Sequence, residues 1–148
     1  MRTITPISSL LLMLLPALST AQDAAPLPRT PAPDGAMVYI VSPADGERVA
    51  SPVTIRFGLR GMGVAPAGVQ APNTGHHHLL IDVQTVPPES LPLPADEHVR
   101  HFGLGQTEAE LTLAPGQHTL QLVLGDALHI QHQPPVRSQI ITITVVAP

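Results

Sequence analysis

Hydrophobic residues alternate with polar or small residues in short runs along most of this 148-residue chain. In the clearest run, single residues separate Val53, Ile55, Phe57 and Leu59. A period of two is typical of a strand that packs one face against a core. The same pattern predicts six strands, which cover residues 37–41, 52–59, 77–83, 108–113, 118–124 and 140–146.

Turns rich in proline and glycine divide these strands and indicate the fold. The chain has 18 prolines, which cluster in connections such as residues 86–88, where no donor for a sheet hydrogen bond is needed. The turn at residues 114–117 predicts a hairpin between the two strands that flank it. The sequence therefore predicts an all-β domain, an antiparallel immunoglobulin-like β-sandwich of six to seven strands. A small closed barrel is the alternative.

The first 21 residues have the features of a secretory signal peptide. Arg2 supplies a positive charge, residues 10–18 are apolar, and Ser-Thr-Ala at residues 19–21 is a small-residue cleavage site. The apolar stretch is too short to span a membrane. We therefore expect a signal peptide over residues 1–21, a Pro/Ala-rich linker over 22–35 and a β-sandwich domain over 36–148. The expected location is the periplasm or the exterior, with no membrane insertion after cleavage.

Charge and cysteine content narrow the range of partners. The formal net charge of −4 becomes −5 once Arg2 is removed, and the chain has no lysine. Such a surface disfavours nucleic acids and anionic membranes. The chain also has no cysteine but eight histidines. Any transition metal would therefore depend on imidazole ligands, and a blue-copper centre is excluded because it needs a cysteine.

Three consecutive histidines enter the predicted strand at residues 77–83. Side chains on a strand alternate between faces, so His76 and His78 point the same way, about 6–7 Å apart along the strand. Both rings can then reach one metal ion at about 2 Å. His77 points to the opposite face, where we expect a buried core histidine.

Further histidines follow in a long loop predicted over residues 86–105 and after the strand at 118–124. If the strands at 77–83 and 118–124 are antiparallel neighbours, the start of the first and the end of the second lie at the same end of the sandwich. His76, His78, His129 and His132 would then share that end, with His101 nearby. Neutral imidazoles that converge suit Zn²⁺ or Cu²⁺. The predicted metal site consists of His76, His78, His101, His129 and His132.

Other interpretations stay open at this level. Met62 is either a thioether ligand or a loop residue that caps the core, and His118 lies in strand register and suits a structural role. A metal-dependent hydrolase would need an open coordination position beside a general base such as Glu108 or Asp126. A metal-free module that binds another envelope protein would have histidines hydrogen-bonded to carboxylates, without convergence.

Several long motifs resemble those of a family of small exported bacterial proteins, the domain of unknown function DUF4399. The motifs are Gly-His-His-His-Leu-Leu-Ile-Asp at residues 75–82, His-Phe-Gly-Leu-Gly-Gln-Thr-Glu at 101–108 and Pro-Gly-Gln-His-Thr-Leu-Gln-Leu-Val-Leu-Gly-Asp at 115–126. The resemblance covers nearly the whole domain and implies an exported single-domain protein. It brings no established activity.

Overall fold

The computed structural model describes residues 27–147, and this part of the chain contains nine β-strands and no helix. The predicted signal peptide lies outside these residues. The strands are β1 (Met37–Ser42), β2 (Arg48–Val49), β3 (Val53–Arg60), β4 (Gly63–Val64), β5 (Thr74–Ile81), β6 (Val99–Phe102), β7 (Glu108–Leu111), β8 (Gly116–Gly125) and β9 (Ile141–Val145). The count exceeds the predicted six to seven because β2, β4 and β6 are too short for a clear alternation.

The strands form two sheets. One has the order β1-β3-β7, and the other has the order β2-β9-β8-β5-β4, with β6 also paired to β5. All pairings are antiparallel except the two-residue pairings of β2 with β9 and β4 with β5. The prediction of an all-β, mostly antiparallel sandwich of two sheets is confirmed.

The core between the sheets consists of the inward-facing residues of β1, β3 and β7 from one sheet and of β5, β8 and β9 from the other. Ile55, Leu79, Leu122 and Ile143 are completely buried there. Burial of each such side chain contributes about 1.5–3 kcal/mol to folding. The alternation that predicted the strands therefore also predicted the residues that hold the two sheets together.

Strand β5 is buried on both faces. Leu79 and Ile81 belong to the core between the sheets. On the opposite face a second apolar cluster consists of Leu80, Leu93, Val99 and Val123. The histidine triplet thus lies near the start of a strand that has almost no access to water. Buried polar atoms need hydrogen-bond partners from the protein or from a ligand.

Strand β6 lies within the segment 86–105, which the sequence predicted as a long loop. It pairs antiparallel with β5, so that His78 lies opposite His101 and Leu80 opposite Val99. β8 occupies the other edge of β5 and places Gly125 opposite His76. The antiparallel pairing on which the predicted site depends, between the strand that begins beside His76 and the strand that precedes His129, is therefore present.

The predicted hairpin across residues 114–117 is wrong. Strand β7 pairs with β3, with Leu111 opposite Val53, whereas β8 pairs with β5 and β9. The turn therefore connects the two sheets. Leu111 and Leu120 enter the same core from opposite sides, and alternation indicates the inward face of a strand but not the sheet that contains it.

Part of the predicted linker is fastened to the domain. Arg29 donates hydrogen bonds to the backbone carbonyls of Gln131 and His132, and it forms a 2.7 Å ion pair with Glu89. The Thr30 hydroxyl donates to Asp126 Oδ2 at 2.7 Å. This segment therefore holds the turn that follows β8.

Within residues 27–147, no helix has the length and apolar character needed to cross a bilayer.

Candidate metal centre

Strand alternation divides the histidine triplet as the sequence predicted. His77 faces the core between the sheets, where its ring lies 5.1 Å from that of Phe57. Its Nδ1 is 3.2 Å from the Gln106 carbonyl, and because a carbonyl only accepts, Nδ1 carries the proton. His76 and His78 face the other side of β5, with ring centroids 4.8 Å apart.

The register in which β6 pairs with β5 places a third imidazole on this face. His101 on β6 lies directly opposite His78, and side chains of opposite residues lie on the same face of a sheet. The His101 ring is 5.1 Å from that of His78 and 5.0 Å from that of His76. Each of these three residues offers a ring nitrogen within 4.8 Å of the others.

Two glycines leave room for these rings. A Cβ on Gly125 would lie 2.8 Å from Cε1 of His78, and a Cβ on Gly103 would lie 2.5 Å from Nε2 of His101. Both approaches are too close for any other residue unless the ring moves. The sheet is therefore free of side chains at the points that the rings of His78 and His101 occupy.

A tight turn after β8 brings the fourth imidazole. The chain reverses after Gly125, which forms a bridge with Gln131, and His129 at the turn has a φ of 67°. This left-handed conformation is uncommon for a residue with a side chain. Oδ1 of Asp126 fixes the turn by accepting hydrogen bonds from the backbone amides of Leu128 and Ile130, both at 2.9 Å.

The His129 ring completes a compact group. Its centroid lies 4.9 Å from that of His76, 4.8 Å from that of His101 and 5.9 Å from that of His78. We refer to these four residues as the imidazole cluster. His76 and His78 are fully buried, and His101 and His129 are partly exposed.

Backbone hydrogen bonds connect the segments that carry the cluster. The amide of Ala67 donates to the Gly103 carbonyl at 2.9 Å, and that of Gly68 donates to the Ala127 carbonyl at 3.0 Å. The His129 carbonyl accepts from Leu93 at 2.9 Å. The end of β6 and the turn after β8 are therefore held together by the loop that precedes β5.

The cluster has ring nitrogens without protein partners. In the described part of the chain, both nitrogens of His76, both nitrogens of His78 and Nε2 of His101 are buried and make no hydrogen bond. An unsatisfied buried polar group costs about 1–3 kcal/mol. The unpartnered nitrogens therefore reduce the free energy of unfolding. A bound cation would offset this cost, because the nitrogens would donate their lone pairs to it.

The surroundings keep three members of the cluster, His76, His78 and His101, neutral. Burial, together with the neighbouring His129 and His101, lowers the pKa of His76 to about 4. Burial and the other three imidazoles lower the pKa of His78 to about 2. Burial and His129 also lower the pKa of His101. Neutral imidazole is the form that binds metal.

His132, the fifth predicted ligand, lies in a different environment. It is fully buried, with Nδ1 3.4 Å from the Leu124 carbonyl and Nε2 3.2 Å from the Thr74 carbonyl. These contacts connect the end of β8 to the start of β5. The structure thus brings together four of the five predicted residues and gives His132 a position between two strands.

The remaining histidines lie outside the cluster. His118 donates to Asp82 Oδ2 at 2.7 Å and to the Ala114 carbonyl at 2.9 Å, so both ring nitrogens carry protons. Burial opposes this charge, but the Asp82 carboxylate prevails and raises the pKa of His118. His98 is exposed, and its Nδ1 lies 3.1 Å from the Ile81 carbonyl. Met62 packs against the core.

The fold and this site define a small β-sandwich protein with a convergent group of four imidazoles on the outer face of one sheet. The chain belongs to the family described as a domain of unknown function, DUF4399, whose sequence profile matches residues 55–146. All four residues of the imidazole cluster lie within this match. Neither a curated protein nor a solved structure matches the chain.

Sequence reasoning missed how His101 and His129 are positioned. The alternation of buried Val99, exposed Arg100 and partly buried His101 was a strand signal, but four residues are too few to stand out. The role of Asp126 had a clearer signal. An aspartate directly after a strand and a glycine commonly accepts hydrogen bonds from backbone amides two residues further on.

Proposed function

We propose that this protein is exported to the periplasm or secreted, and that it binds one divalent transition metal ion, zinc or copper, through the imidazole cluster. The observation that carries the proposal is the convergence of His76, His78 and His101, whose ring nitrogens lie within 4.8 Å of one another and include buried nitrogens with no other partner among the described residues. The ring of His129 lies against this group. Nitrogen ligands of this type suit zinc and copper.

The partial exposure of two ligands supports a role in exchange of the metal. His101 and His129 are partly exposed, so the ligand of a partner protein can replace either of them at the ion. His76 and His78 also make no hydrogen bond to an outer carboxylate or carbonyl in residues 27–147. Such outer contacts typically contribute 10–100-fold to metal affinity. Buffering, delivery or sensing of the metal fits this site better than permanent structural binding.

The two alternative functions fit the structure less well. A metal-free interaction module would have histidines paired with carboxylates, but in the described chain such pairs occur only at His118 and His98, outside the cluster. A hydrolase would need a free general base. Glu108 lies on β7 in the other sheet, 3.4 Å from Arg56. The oxygens of Asp126 already accept hydrogen bonds from two amides and from Thr30.

Export is supported by the sequence of residues 1–21 alone. If it occurs, the mature protein begins at Gln22 and is recovered in the periplasmic fraction or the medium, which cell fractionation and N-terminal sequencing would establish.

Two exposed leucines lie close in sequence to ligand-bearing residues: Leu104 is 84% exposed and Leu128 is 50% exposed. They would suit contact with another envelope protein that gives or receives the metal.

The test of metal binding uses untagged full-length protein recovered from the cell without chelators. We expect elemental analysis to find about one equivalent of zinc or copper in the wild type and none in H76A/H78A. His98→Ala is the matched control, because it removes an exposed histidine outside the cluster.

A second measurement covers protein that loses its metal during purification. At a free metal concentration of about 100 times Kd, binding adds about 2.7 kcal/mol to stability, which is a rise of several degrees in Tm. We expect this rise for the wild type and for H98A, but not for H76A/H78A. The proposal is wrong if elemental analysis finds no metal and neither added zinc nor added copper changes Tm.

A further inference from the structure

The four rings of the imidazole cluster lie close to the corners of a tetrahedron. Five of the six distances between ring centroids fall between 4.8 and 5.1 Å, and the sixth is 5.9 Å. A square with sides of this length would have two diagonals of about 7 Å, which is the arrangement for tetragonal Cu²⁺ or Ni²⁺. No pair of rings is that far apart.

The size of this tetrahedron matches a bound ion. With edges of this length, its centre lies about 3.1 Å from each ring centroid. A metal at about 2.0–2.1 Å from a ring nitrogen lies about 3.2 Å from the centroid of that ring. The ring centroids are therefore separated as they would be around a four-coordinate ion, and the ring nitrogens of three of the four residues, His76, His78 and His101, lie within 4.8 Å of one another.

The types of ligand also distinguish between tetrahedral ions. Monovalent copper is selected by soft sulfur ligands, whereas imidazole suits zinc. The chain has no cysteine, and Met62 packs against the hydrophobic core. The cluster therefore offers four nitrogens and no sulfur.

We propose that the imidazole cluster is a closed, tetrahedral four-histidine site for Zn²⁺, in which His129 fills the coordination position that a catalytic zinc site leaves to water. This inference rests on the proposed metal binding and specifies its geometry and its ion. Four protein ligands complete the shell of zinc, and sites of that kind bind the ion without activating water. The geometry also disfavours Cu²⁺, which would otherwise bind nitrogen ligands more tightly than Zn²⁺.

The test uses Co²⁺ as a spectroscopic substitute for zinc in the purified, metal-free full-length protein. Tetrahedral Co²⁺ absorbs visible light much more strongly than five- or six-coordinate Co²⁺. We expect intense visible bands in the wild type, displacement of Co²⁺ by one equivalent of Zn²⁺, and no spectral change when azide is added. In His129→Ala a solvent position opens, so azide shifts the bands and Kd for Zn²⁺ rises at least about tenfold. His98→Ala should behave as the wild type.

The outcomes separate this inference from the proposed function. If azide shifts the wild-type spectrum as it shifts that of H129A, the site has three histidines and an open position, and the closed site is wrong although metal binding stands. Weak absorption with Co²⁺ bound also contradicts the tetrahedral geometry. If neither Co²⁺ nor Zn²⁺ binds to the wild type, metal binding itself is wrong.

Discussion

The chemistry of each histidine in this protein depends on what faces its two ring nitrogens. His118 faces a carboxylate and a carbonyl and is held as a cation. His77 and His132 face backbone carbonyls and connect parts of the fold. The rings of the imidazole cluster face one another instead, because Gly103 and Gly125 leave space beside the rings of His101 and His78.

Substitution of Gly125 by alanine should therefore disturb the cluster directly. The new Cβ would lie 2.8 Å from Cε1 and 3.1 Å from Nδ1 of His78, and overpacking of this kind costs about 1–3 kcal/mol. We expect G125A to fold with reduced stability and to bind Zn²⁺ at least about tenfold more weakly, as measured by calorimetric titration. Gly63→Ala is the control, since its Cβ would meet only Thr74 Cγ2 at an ordinary 3.5 Å. Equal affinities in the two variants would contradict the role of Gly125.

At the scale of elements, the site depends on three segments meeting at the start of β5. Strand β5 brings two ligands, β6 brings the third through its register, and the turn after β8 brings the fourth. Asp126 connects the turn to the domain, because it accepts from both amides that flank His129 and from Thr30. Asp126 is therefore a positioning residue for His129.

Removal of the Asp126 carboxylate should weaken the metal site without removing a ligand. In Asp126→Ala the turn loses three hydrogen bonds, and we expect Kd for Zn²⁺ to rise about 10–100-fold, as for other outer contacts of metal ligands. Asp126→Asn keeps an amide oxygen that can accept from the two backbone amides, so its affinity should stay close to that of the wild type. Asp45→Ala, which removes an acceptor for the Thr142 amide, is the control. An affinity for D126A equal to that of D45A would rule out the positioning role.

The sequence predicted the strands better than their partners. Alternation located β1, β3, β5, β7, β8 and β9 and divided His76 and His78 from His77, since a period of two fixes the face of each side chain. It assigned β7 and β8 to one hairpin, because the inward face of a strand does not identify its sheet. Alternation also predicted only part of the metal site. His76 and His78 follow from local geometry, whereas His101 and His129 depend on pairing and on a turn.

At the scale of the whole molecule, the lowered pKa values of His76 and His78 make the stability of the metal-free protein depend on pH. The unfolded chain protonates its histidines near pH 6.5, but His76 stays neutral in the folded protein until about pH 4. Between these values the unfolded state binds more protons, so the free energy of unfolding falls as pH decreases from 6.5 to about 4. His118 acts in the opposite sense, because its raised pKa gives stability that is present below pH 6.5 and lost as pH rises.

Urea denaturation of the metal-free protein at several pH values measures this dependence. We expect the midpoint to fall between pH 6.5 and 4 in the wild type, and to fall much less in H76A/H78A, which lacks the two most perturbed imidazoles. In His118→Gln the decline should persist, because that residue does not cause it. The same decline in H76A/H78A as in the wild type would show that the cluster does not control acid stability.

The most direct test of a metal bound by the imidazole cluster is anomalous diffraction from crystals grown with one equivalent of Zn²⁺. Data collected on either side of the zinc absorption edge would locate the ion independently of any assumption about the site. We expect one anomalous peak per chain, about 2.0–2.1 Å from a ring nitrogen of each of His76, His78, His101 and His129. No peak at the cluster, or a peak elsewhere on the chain, would contradict it.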